Sequence, residues 1–318
     1  MTPPRPDPTE HPTRTRPANP AVTSRRKALF VRTSVRTTAL VSAATALALA
    51  LTACGTDSDP ETADADSGET PAASEPLTVA ANPVPHAAIL EFVRDNLAEE
   101  AGLDLRIQEF TDYVLPNTAV ESGEVDANFF QHKPYLDDFN ANQGTHIVPV
   151  INVHLEPLGL YSNTLTDAAE LAEGDTVAVP NDATNEGRAL KLLADNGVIE
   201  LNEGVGADAT LADIADDRGL EFQELEAATL PRALDDVDAA VINGNYALEA
   251  DLAPAEDALV LEAAEGNPYA NFLAVKEGAE DDPRVQLLAE LLNSDEVRQF
   301  IEDTYDGSVV PAFGTPAA

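Results

Sequence analysis

From Leu77 onward the hydrophobic positions repeatedly change period. Short apolar runs alternate with longer stretches in which apolar residues recur every three or four positions, the pattern of an α/β chain. LTVAANP (77–83) predicts a strand, and HAAILEFVRDNLAEEAG (86–102) an amphipathic helix that Gly102 stops. Strands are then predicted at 103–110 and 125–130, helices at 115–122 and 134–142, and a largely extended stretch at 147–160. A second cycle follows, with strands at 176–180, 221–225 and 239–242 and helical segments at 184–195, 211–215 and 230–235. Residues 269–275 read as one more strand, and 283–304 as a long terminal helix or a pair of helices.

The two cycles echo each other. TVAANP (78–83) and TVAVPND (176–182) are both strands that run into a loop and a helix, and GEVDANFFQ (123–131) and DDVDAAVIN (235–243) share Val-Asp-Ala at the start of a strand. The same order within each cycle predicts two similar lobes. In open α/β sheets ligands sit beyond the carboxyl ends of the strands, so the residues there are the ones to question.

The first 53 residues are different in kind. They carry eight basic residues against two acidic ones and end in the uncharged run TTALVSAATALALALTA (37–53). A basic segment, a short apolar run and small residues before a boundary describe an export signal, and the run is short for a membrane-spanning helix. Residues 55–76 are acidic, rich in Pro, Ser and Thr and almost free of large apolar side chains, which predicts a disordered tether. Residues 54–318 retain 10 Lys and Arg against 55 Asp and Glu, a net charge of −45, a surface that repels nucleic acid. The chain has one Cys, Cys54, so no intrachain disulfide forms.

Three stretches carry candidate chemistry. DANFFQHKPYL (126–136) crowds aromatics and a histidine into a chain that is only 5% aromatic and has five histidines. Phe130 and His132 lie two apart and share a strand face, and Tyr135 follows on the first turn of the next helix. Spacing leaves two readings open for these three, a pocket wall or ordinary packing, and assigns Phe129, on the other face, to the core. In PNDATNEGRALKLL (180–193), Asp182 or Thr184 suits the helix cap, and Asn185 and Arg188 share a face near the helix start. A guanidinium there offers a bidentate fork to a carboxylate. In AVINGNYAL (240–248), Asn243 ends a buried strand before Gly244, where a backbone approaches a ligand closely. Tyr113 and Tyr269 are lesser candidates. Together these pieces suit a ligand with an α-amino-acid head and a soft apolar tail, to which aromatic rings attract a thioether.

FFQHKPYLD (129–137), DYVLPN (112–117), VAVPNDATNEGRAL (177–190), LPRALDD (230–236) and AVINGNYAL (240–248) resemble, in order, the methionine-binding lipoproteins of bacterial ABC importers, the NlpA/MetQ family. The resemblance implies a two-lobed α/β architecture, the periplasmic-binding-protein-like type II fold, with two crossover hinge strands. Lobe 1 would comprise residues 77–160 plus 272–318, and lobe 2 residues 161–271. It implies a ligand pocket of Tyr113, Phe130, His132, Tyr135, Asn185, Arg188 and Asn243, the aromatics holding the methionine side chain and Arg188 with Asn185 the carboxylate. It further implies L-methionine or a close analogue as ligand, an ABC permease and its ATPase as partners, and a monomer. Leu51-Thr52-Ala53-Cys54 resembles a lipobox, implying cleavage before Cys54 and a lipid anchor on the extracytoplasmic face of the cell membrane. No cofactor is implied. Ala183 stands where members of the family carry Pro, a departure that bears on loop stiffness.

Rival readings are a receptor for another amino acid or a methionine-containing dipeptide, an enzyme, and a metal-binding receptor. The chain has no Gly-x-Ser-x-Gly, no His-Glu-x-x-His and no phosphate-cradling loop, and His132 has no catalytic partner evident in the sequence. His86, His132, His154 and Glu156 form a conceivable zinc set, but Arg188 beside a cation is unfavourable and the aromatics would have no task.

Overall fold

The computed structural model describes residues 75–316. The signal segment, Cys54 and all of the tether except its last two residues lie outside that range. The strands in chain order are β1 (Leu77–Ala81), β2 (Leu105–Glu109), β3 (Ala127–His132), β4 (Ile147–Leu155), β5 (Gly159–Tyr161), β6 (Thr176–Pro180), β7 (Glu200–Leu201), β8 (Ile214–Asp216), β9 (Glu221–Leu225), β10 (Ala239–Ile242), β11 (Val260–Leu261), β12 (Asn271–Lys276) and β13 (Val310–Gly314).

Two main sheets form, each the floor of one lobe. The first has the order β13-β4-β12-β3-β1-β2, the second β11-β5-β10-β6-β9. In the first, β1 pairs parallel with β2 and β3, and the returning β12 runs antiparallel to β3. In the second, β6 pairs parallel with β9 and β10, and the incoming β5 runs antiparallel to β10. Each sheet therefore has its first strand flanked by its second and third, and then a strand of opposite direction delivered by a crossover. The chain leaves the first sheet after Leu155 and re-enters it at Asn271.

The repeated sequence pieces occupy equivalent places. Asp126 of the first Val-Asp-Ala accepts a hydrogen bond from the Thr78 N–H at 2.8 Å and returns one from its own N–H to the Thr78 carbonyl at 2.9 Å. Asp238 of the second does the same to Thr176, at 2.8 and 3.1 Å. In both lobes one carboxylate clamps the entry of the first strand to that of the third.

Each sheet is covered on both faces. Leu77, Val79, Ala81 and Phe129 pack under the helical segment 83–101 and the two C-terminal helices Pro283–Leu292 and Asp295–Tyr305. Ala80, Phe272 and Ala274 face Val120 and Leu136 on the other side. In the second sheet Val177, Val179 and Val241 pack on Leu190 and Leu193 of the helix Ala183–Asp195, and Ala178, Ala240 and Ile242 on Leu230, Leu234 and Tyr246. No helix among the described residues is long and apolar enough to cross a membrane.

Some expectations shift. The predicted helical stretch 211–215 is a single 3-10 turn, Leu211–Asp213, whose end becomes β8 paired antiparallel with β7. Five residues, none of them fully buried, bury too little to hold an α-helix, and the capping contact between Thr210 and Asp213 closes the turn. The strand β13 and the helix Gly244–Glu249 have no signal in the periodicity, because elements of five and six residues show too few repeats to stand out.

Candidate ligand-binding site

The carboxyl ends of β3 and β10 and the start of the helix Ala183–Asp195 meet around a small cavity of about 20 Å³. All seven residues singled out above line it: Tyr113, Phe130, His132, Tyr135, Asn185, Arg188 and Asn243. Gln131, Glu156, Gly244, Asn245 and Asn271 complete the wall.

Tyr113, Phe130 and Tyr135 form the apolar side. Their ring centroids stand 5.7–6.0 Å apart, edge-on or tilted. The Tyr135 hydroxyl donates to the Tyr113 carbonyl at 2.9 Å and the Tyr113 hydroxyl to Asn245 Oδ1 at 2.5 Å, so both polar ends are tied back and the ring faces are left for an apolar guest.

His132 caps the helix Lys133–Gln143: its Nδ1 accepts from the Tyr135 N–H at 3.2 Å. Nε2 must then carry the proton, and it meets Asn185 Oδ1 at 3.2 Å across the cleft. Burial, and after it the Arg188 charge, depress the imidazole to about 3. With both nitrogens engaged, His132 is a neutral structural bridge rather than a free base.

Asn185 is a hub. Its Nδ2 donates to both oxygens of Asp182, at 2.9 and 3.0 Å, and its Oδ1 also accepts from Asn243 Nδ2 at 3.0 Å. Asp182 is the helix cap, accepting from the Asn185 N–H. Asn243 fixes its amide direction through Asn185, leaving its buried Oδ1 with no partner. An acceptor stranded in this way is costly unless something donates to it.

Arg188 sits on the second turn of its helix, one turn deeper than expected from the sequence, so its charge is removed from the amino-terminal dipole. Only 4% exposed, it is held by three groups. Nε and Nη2 fork onto Glu262, Nη2 also donates to the Glu156 carbonyl at 2.9 Å, and the guanidinium lies 4.1 Å over the Tyr269 ring. Burial would raise the Glu262 carboxyl, but the Arg188 bond outweighs it and keeps the group below its usual range.

Glu156 lies with His86 and His154, as the conceivable metal set has it, and it also lines this cavity, a place not assigned to it from the sequence. Its Oε1 meets His154 Nε2 at 2.7 Å and His86 Nε2 at 3.1 Å, whereas His132 lies outside the group. Burial would raise this carboxyl. The His86 ring beside it, and then the hydrogen bonds from His154 and His86, more than offset that and hold it well below the carboxylate range. The available signal was a lone acid inside the apolar run IVPVINVHLEPLGLY (147–161) at a strand end.

The family model described as NlpA lipoprotein matches residues 77–313. The chain belongs to that family. Among its relatives, the methionine-binding lipoprotein MetQ of Bacillus subtilis is 38% identical over 266 residues, covering 82% of this chain and 93% of that protein. The D-methionine-binding lipoprotein MetQ of Escherichia coli is 40% identical over 225 residues, 70% of this chain and 83% of that one. A nutrient-binding protein of Burkholderia cenocepacia, solved bound to methionine, superposes with a TM-score of 0.72 at 44% identity, covering 74% of this chain and all of its own. The fold is thus the two-lobed type II fold, and the NlpA-family cavity lies where its two sheets face each other.

Proposed function

We propose that this NlpA-family protein captures methionine between its lobes and delivers it to an ABC importer. The observation that carries the reading is one small cavity holding a fixed cation, a fixed anion and an aromatic wall. Arg188 complements an α-carboxylate, Glu156 Oε2 and the unpartnered Asn243 Oδ1 complement an α-ammonium, and Tyr113, Phe130 and Tyr135 take a thioether. Asn185 and His132 act by holding the others in place. The relatives named for methionine binding and the methionine-bound Burkholderia protein support the same ligand.

The two lobes, 77–160 plus 272–318 and 161–271, would close on the ligand by bending at the crossover strands, and the closed form would dock on the permease. A lipid on Cys54 would keep the protein at the outer face of the membrane as a monomer. Binding without turnover is the expected behaviour, since His132 has no free nitrogen to serve as a base. Mass spectrometry of small molecules released by gentle denaturation, followed by calorimetric titration with L-methionine, tests this. Stoichiometric binding without chemical change is expected. Release of a different compound class, or no heat with methionine after the protein has been stripped and refolded, would overturn it.

A further inference from the structure

Beneath the cavity, on the lobe 1 side, lies a second constellation. His154 is on β4 and Asn271 on β12, directly paired in register, on the two strands that carry the chain between the lobes. His86, from the segment after β1, reaches both: its Nε2 lies 3.0 Å from Asn271 Oδ1 and 3.1 Å from Glu156 Oε1. Both imidazoles are fully buried, and Phe129 stands edge-on to each, with centroids 5.0 and 5.2 Å away. The Nδ1 atoms of both rings have no hydrogen-bond partner. A proton there would be a buried donor with nothing to accept it, so each ring carries its proton on Nε2, from which His154 donates to Glu156 Oε1 and His86 to Asn271 Oδ1.

We propose that His86 and His154 are positioning residues for ammonium recognition: His154 donates to Oε1 of Glu156, His86, bonded to Asn271 Oδ1, stands with its Nε2 3.1 Å from the same oxygen, and together they hold Oε2 towards the cavity as acceptor for the ligand's α-ammonium. This rests on the methionine reading and adds the origin of its selectivity for a free amino group. Oε2 receives no hydrogen bond from any described residue, and it lies over Gly244, where an added Cβ would come within 2.8 Å of Glu156 Cβ and 3.4 Å of Oε2. Asn243 Oδ1, unpartnered on the same wall, is the second acceptor. The separations of 2.7 and 3.1 Å are hydrogen-bond lengths; nitrogen and oxygen ligands about 2.1 Å from a tetrahedral zinc would stand farther apart.

The test compares two ligands on one protein by titration calorimetry: L-methionine and 4-(methylthio)butanoate, which lacks only the amino group. His154→Phe keeps a ring but removes the donor. It should weaken methionine on the order of 10–100-fold, the worth of a charged hydrogen bond, while leaving the des-amino compound where it is in the parent protein. His154→Gln restores an N–H near the Nε2 position and should recover most of the lost affinity. Gly244→Ala leaves both imidazoles intact and should shift the same ratio through Glu156 itself, which keeps the idea testable if His154→Phe does not fold. Equal losses for both ligands, or an unchanged ratio in Gly244→Ala, would overturn the role of the pair. Parent protein that binds neither ligand would overturn the methionine reading first. Stoichiometric zinc binding that His154→Gln abolishes would overturn the proposal by making the three residues a metal set.

Discussion

The most direct physical consequence of the closed cleft concerns His132. Its folded-state pKa of about 3 lies below the ordinary 6.5, because the ring is buried and faces Arg188. Between those values an unfolded chain takes up a proton that the folded protein refuses. The folded state is therefore favoured at pH 7 and loses ground as pH falls below 6.5. Each pH unit in that window is worth about 1.4 kcal/mol, so going from pH 7 to pH 5 costs roughly 2 kcal/mol from this group alone. His132→Asn removes the titration while its Oδ1 can still accept the Tyr135 N–H that His132 Nδ1 accepts now. His154, whose pKa is lowered mainly by burial, and Glu156 remain in both proteins and largely cancel in the comparison. Urea unfolding at half-unit steps from pH 8 to 5 reads the effect. The parent's stability should fall relative to that of His132→Asn by about 2 kcal/mol between pH 7 and 5, with the divergence beginning near 6.5. Parallel curves would mean that His132 protonates freely in the folded protein. The arrangement of His132 between Asn185 and Arg188 would then be wrong.

Arg188→Ala should abolish methionine binding and also destabilise the fold, but by less than the roughly 3–5 kcal/mol of a fully buried pair, because the half-buried Glu262 keeps the Leu158 N–H; Arg188→Ala combined with Glu262→Gln should recover part of the melting temperature but none of the affinity. Phe129→Ala should cost about 3–5 kcal/mol in denaturant unfolding, since the ring is wholly buried between the lobe 1 core and both imidazoles. Asp126→Ala and Asp238→Ala should each cost on the order of 1 kcal/mol or more, and by similar amounts, because each removes one strand-entry clamp; a loss confined to one of them would break the equivalence of the lobes.

The repeats were the most legible part of the fold. Thr-Val-Ala and Val-Asp-Ala recur because one local problem, joining first and third parallel strands at their entry, is solved twice by one Asp side chain accepting a Thr backbone N–H. The strand ends were legible for a related reason. A sheet end delivers the next residue to the cleft whatever the loop does, so strand boundaries singled out Phe130, His132 and Asn243 as candidates, and the family resemblance assigned them to the pocket. Spacing left core and pocket balanced for Phe130, and the structure shows why: at 4% exposure it is as buried as a core residue and still lines the cavity.

What escaped was everything that depends on the crossover. Glu156 lies three residues before β5, and Glu262 just after β11, and neither has a periodicity or a neighbour in sequence that marks it. Their meaning comes from Arg188, which touches the side chain of one and the backbone of the other. The first contact spans 74 residues within lobe 2, and the second spans 32 residues across the passage where the chain enters lobe 2. The polar half of the site is thus assembled by lobe 2 together with Glu156 at the crossover, and the apolar half by lobe 1. A ligand whose charged head engages lobe 2 and the crossover while its tail engages lobe 1 gains most when the lobes are closed. That differential contact is what a capture protein needs for binding to drive closure.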